Sequence, residues 1–79
     1  MTMIRFFSVG GNQYEIRAYL VDEEWHLGVY DARGNPVGDC IGIVDDETVH
    51  DAKVVSALDL LGEIAVALED NFKKKCHRK

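Results

Sequence analysis

The hydrophobic pattern of this chain changes period once, near residue 45, and that change restricts the folds open to it. In residues 13–21 and 25–31 apolar side chains recur at every second position, the spacing of half-buried strands. From residue 54 to residue 72 they recur at helical spacing. A chain of 79 residues with one such switch reads as a single α+β domain: a sheet first, a helical region second.

Four strands are predicted. Residues 3–9 are rich in aromatic and branched side chains and are followed by Gly10-Gly11-Asn12, residues that tolerate positive φ at a turn. Residues 13–21 put Tyr14, Ile16, Ala18 and Leu20 on one face and Glu15, Arg17 and Tyr19 on the other. Asp22-Glu23-Glu24 forms the next turn. Residues 25–31 then place Trp25, Leu27 and Val29 opposite His26, Gly28 and Tyr30. Asp31-Ala32-Arg33-Gly34 has Asp first and Gly fourth, as a type I turn with a left-handed glycine prefers. Pro36 opens the fourth strand, where its missing N–H matters least, and residues 37–44 complete it. Consecutive hairpins give an antiparallel meander.

The helical region begins after Asp45-Asp46-Glu47. Thr48 and Asp51 have the spacing of a capping box, and the acids suit the positive end of a helix. On a helical wheel Val54, Ala57, Leu58, Leu61, Ile64, Ala65, Leu68 and Phe72 share an arc of roughly 120°. Val49 and Ala52 fall off that arc, so the region divides into a short helix near 48–55 and a main helix near 57–74, or is one bent helix. The expected architecture is a two-layer sandwich, with the helical stripe covering one face of the sheet. That face holds the apolar set of the second and third strands, joined by Ile41 and Ile43 where register allows. The opposite face carries Arg5, Glu15, Arg17, Tyr19, His26 and Tyr30.

Composition narrows the function. The apolar share of 47% and charged share of 29% are those of a globular protein. No run reaches the ~18 apolar residues that cross a bilayer, and the N-terminus lacks the pattern of a signal peptide. The chain is expected to be cytosolic and without membrane contact. Cys40 and Cys76 fit no metal or redox spacing and are expected to be free thiols.

The net charge of −5 conceals an asymmetry. Residues 1–72 carry four basic and fourteen acidic groups, a balance of −10, while Lys73, Lys74, Lys75, Arg78 and Lys79 make residues 73–79 a basic, flexible tail. Such a body disfavours nucleic acid, whose affinity rests on phosphate contacts.

No group of side chains assembles a base, a nucleophile and a charge stabiliser, so no catalytic, cofactor or metal residue is assigned and the chain is not expected to be an enzyme. His26, His50 and His77 read as solvated histidines. Asp45, Asp46, Glu47 and Asp51 lack the alternating ligands and central glycine of a calcium loop. Ser8 and Ser56 have no neighbouring base.

The order of strands and helix is similar to that of small antitoxin domains that accompany interferase toxins. Gly38-Asp39-Cys40 stands where those domains carry a Pro-Gly-Cys stretch, and no functional residue carries over. The expected function is a small, non-catalytic interaction or regulatory module, most simply a homodimer, with Arg5, Arg17, Tyr19, His26 and Tyr30 on its contact face. The alternatives are nucleic-acid binding through that face and the basic tail, or an acidic decoy for a basic protein.

Overall fold

The structure is a computed structural model; it describes residues 2–77, apart from the side chains of Asp39, Cys40, Cys76 and His77. The free-thiol expectation for Cys40 and Cys76 concerns side chains outside the described residues. Four antiparallel strands, β1 (Thr2–Val9), β2 (Asn12–Val21), β3 (Glu24–Asp31) and β4 (Pro36–Asp45), lie side by side in chain order. Two helices follow, α1 (Asp46–Ser56) and α2 (Leu60–His77). The α+β meander expected from the sequence is the fold. The backbone of residues 73–77, expected as tail, continues α2; residues 78–79 lie outside the described residues.

Turn chemistry sets the hairpins. Gly10 and Gly11, at φ +58° and +83°, form the two-residue turn between Val9 and Asn12. Asp22 and Glu23 do the same between Val21 and Glu24, at φ +49° and +65°, without glycine. In the third turn Asp31 works twice. Its carbonyl accepts from Gly34 N–H at 3.0 Å, and its carboxylate accepts from the N–H groups of Arg33 at 2.9 Å and Asn35 at 3.0 Å. The Asn35 bond is the largest influence on the Asp31 carboxyl, which ends below its ordinary value.

α2 lies across one face of the sheet. Ile16, Ala18, Leu27 and Val29 from the sheet and Ala65 and Leu68 from the helix form the buried core, with Phe7 and Phe72 at one end. There Phe72 meets Tyr14 edge-on at 4.8 Å and Phe7 at 5.7 Å between ring centroids. Full burial of an aliphatic side chain contributes about 1.5–3 kcal/mol, so this core is small.

The helical ridge is shorter than the wheel implies. Ala57 turns into the left-handed region at φ +54° and ends α1, which breaks the helical phase between Val54 and Leu61. Val54 is consequently 68% exposed, Leu58 is exposed, and α1 buries no residue. Only the part of the stripe from Leu61 to Phe72 packs on the sheet. α1 also starts earlier than expected. Its N-cap is Asp45, with no side-chain cap, so Thr48 and Asp51 form no capping box. Asp46 instead ties the helix to the sheet: its N–H donates to the Glu23 carbonyl at 2.9 Å, and its carboxylate accepts from Trp25 Nε1 at 2.8 Å.

Two register breaks decide which side chains face which way. In β1 the pairs Met3–Arg17 and Arg5–Ile16 leave Ile4 as an extra residue. In β4 the pairs Gly28–Ile41 and Tyr30–Pro36 leave residues 37–40 opposite Val29 alone, with Gly38 at φ +75°. Each break inverts the in–out alternation on one side of it.

Candidate functional site

The helix-free face of the sheet differs from expectation at both edges. Arg5 is not on it. The Ile4 bulge turns Arg5 to the helix side, where its guanidinium donates to the carboxylate of Glu69 on α2. Lys73 Nζ donates to the same carboxylate at 2.6 Å. Glu69 falls outside the apolar stripe of the sequence yet is buried, held between these two cations. Burial is the largest influence on its carboxyl and raises the pKa. The hydrogen bonds and charges of Lys73 and Arg5 together outweigh it, and the carboxyl ends below its ordinary value.

Ile41 and Ile43, expected on the helix side only if register allowed, are on the open face. They pair with Gly28 and His26 and are 67% and 58% exposed. The break at residues 37–40 puts them there. Met3 and Phe6 join them from β1, opposite Arg17 and Glu15, and Phe6 is 54% exposed. Pro36 and Gly38 were the sequence signals of an irregular fourth strand. Neither says where pairing resumes.

The middle of the face carries the remaining expected residues as one cross-strand pair, Tyr19 with His26, and one group in which Arg17 bonds Glu15 of its own strand and lies over Tyr30 of the next. Tyr19 stacks on His26, with ring centroids 5.4 Å apart and planes 14° from parallel. Arg17 donates to both carboxylate oxygens of Glu15, at 3.1 and 3.2 Å, and its guanidinium lies 5.0 Å from the centroid of the Tyr30 ring. Such pairs contribute ~0.2–1 kcal/mol each to sheet stability. Gly28 leaves a shallow hollow walled by Tyr19, Tyr30 and Ile41. The arrangement presents apolar and aromatic surface around one internally paired arginine–glutamate couple.

Charge gathers elsewhere. Asp22, Glu23 and Glu24 of the second turn meet Asp45, Asp46 and Glu47 of the β4–α1 junction, with His50 at the rim. Among the described residues no three His, Cys, Asp or Glu side chains converge to hold a metal ion. His50, Ser8 and Ser56 are exposed. No described helix is long and apolar enough to cross a membrane.

Comparison with known protein families, with characterised proteins and with solved structures finds no match.

Proposed function

We propose that this chain is a non-catalytic interaction module that works through the helix-free face of its sheet, self-association included. One observation carries the reading: Met3, Phe6, Ile41 and Ile43 stand exposed on the same face as Tyr19 and Tyr30, with no element among the described residues covering them. Met3 and Phe6 stand at the β1 edge and Ile41 and Ile43 at the β4 edge, flanking the aromatic side chains between them. Exposed apolar surface rimmed by polar groups marks contact sites. Aromatic side chains with an arginine are the composition favoured at the centre of protein interfaces.

Nucleic acid suits the face less well. Arg5, one of the two arginines that reading relied on, is engaged with Glu69 on the helix side. Arg17 is engaged with Glu15 and Tyr30. The acidic decoy reading draws on the six acids at the end of the sheet, and capture by that end would weaken steeply with added salt.

The test is a comparison of immobilised proteins in a native extract. Wild type and Val54→Asp, whose change lies on α1, should retain the same proteins, copies of this chain included. Ile41→Asp and Ile43→Asp should lose them. Equal retention by all four removes the reading.

A further inference from the structure

We infer that the occupant of the open face is a second copy of this chain, packed sheet to sheet with its strands antiparallel to the first. The inference rests on the reading of that face as a contact surface and adds the partner and its orientation.

Size permits it. Four strands about 4.8 Å apart and about 26 Å long present roughly 500 Å² per copy, so two copies bury about the 1,000 Å² at which specific interfaces begin. The edges of the sheet are poorer surfaces for self-association. β1 is interrupted at Ile4, and β4 at residues 37–40 beside Pro36, and bulges and proline on edge strands discourage edge-to-edge pairing.

Charge selects the partner. A chain of net charge −5 repels its own copies at most surfaces. The middle of the open face escapes this, because Glu15 and Arg17 cancel there, while Glu24 and Asp45 stand at its acidic end. Charge also selects the orientation. Strands of two packed sheets run within about 30° of parallel or antiparallel. The parallel choice sets six acids of one copy against six of the other at one end of the sandwich. The antiparallel choice sends the acidic ends to opposite extremes.

A two-fold axis across the strands, between the levels of Arg17 and Glu15, makes the face complementary to itself. Arg17 then faces Glu15 of the second copy, and the reverse. Tyr30 faces the hollow at Gly28, because Glu15 pairs with Tyr30 and Arg17 with Gly28 across β2 and β3.

Gly28 provides a test at a position whose backbone accepts a Cβ. It has an ordinary φ, and an added Cβ would meet Tyr30 Cε1 at 3.7 Å, a normal contact. Sedimentation from about 1 µM to about 1 mM should show a reversible dimer, weakened at least about tenfold by Gly28→Val and by Ile41→Asp. Circular dichroism and urea unfolding should show both variants folded. Val54→Asp should leave the dimer unchanged. Nitroxide labels at Asp22→Cys, in a Cys40→Ser/Cys76→Ser background, should lie more than about 25 Å apart in the dimer.

A monomer across the whole range overturns the second copy. The contact-face reading then stands or falls separately, on whether Ile41→Asp loses retained proteins. A dimer broken by Val54→Asp and indifferent to Ile41→Asp and Gly28→Val overturns both. Labels within about 20 Å overturn the antiparallel orientation.

Discussion

Gly42 of β4 and Ile64 of α2 meet with no space for a side chain between them: a Cβ at position 42 would lie 2.7 Å from Ile64 Cγ2. The helix packs directly on the β4 backbone at this point, beside Leu27 and Leu68. Gly42→Ala should therefore destabilise the fold by about 1–3 kcal/mol, although alanine is otherwise acceptable at its φ. Ile64→Leu in the same chain, which removes the Cγ2 branch at similar volume, should recover part of the loss. Urea unfolding of the two single variants and the double variant checks this through their coupling. Additive effects would mean that the two positions do not contend for one space.

The contact at Gly42 also shows where sequence reading reaches its limit. The strands, their turns and the covering helix were legible, because glycine pairs, Asp31 with Gly34, and period-2 alternation act locally. The faces of the edge strands were not. Alternation gives two sets of side chains per strand, and only the pairing register says which set faces the helix. One extra residue at Ile4 moved Arg5 to Glu69, and the irregular stretch 37–40 moved Ile41 and Ile43 outward. The helical wheel failed for a similar reason. It assumes continuous phase, and the left-handed turn at Ala57 resets it. The candidate surface was thus half legible: Arg17, Tyr19, His26 and Tyr30 from the inner strands lie on it, while its apolar border came from the edges.

Glu23 occupies a conformation that favours glycine. At φ +65° its Cβ crowds the backbone, a cost of about 1 kcal/mol in the left-handed region. Its carbonyl, not its side chain, accepts from Asp46 N–H. Glu23→Gly should therefore stabilise the fold by about 1 kcal/mol while keeping that bond. It also removes one charge from the acidic end. Thermal unfolding at low and high salt separates the two gains: the backbone gain persists in salt, the charge gain fades.

Trp25 holds the start of α1 through its indole N–H to Asp46. α1 buries no residue of its own, so few other contacts tie it to the sheet. Trp25→Phe keeps most of the apolar contact and removes the donor. Global stability should fall by no more than about 1 kcal/mol, because the bond is exposed. Amide exchange within Asp46–Ser56 should accelerate while the core amides of β2 and β3 keep their protection. Uniform acceleration would show that α1 unfolds only with the whole domain.

Acid should act on Glu69 and on its tie between α2 and β1. Its carboxyl lies below the ordinary value of 4.5 in the folded chain, so the fold binds fewer protons there than the unfolded chain does. The stability it contributes is complete above the unfolded value and is lost as pH falls through the folded one. Arg5 and Lys73 are each about two-fifths exposed, and solvent screening limits the pair energies, so the contribution is of order 1 kcal/mol. Glu69→Gln should lower stability by about that amount at neutral pH and flatten the decline between about pH 5 and 3. Urea midpoints for wild type and variant, measured across that interval, should converge toward acid. Parallel curves would place the acid sensitivity on other carboxylates, of which Asp31 is the first to examine, since its pKa is lowered too.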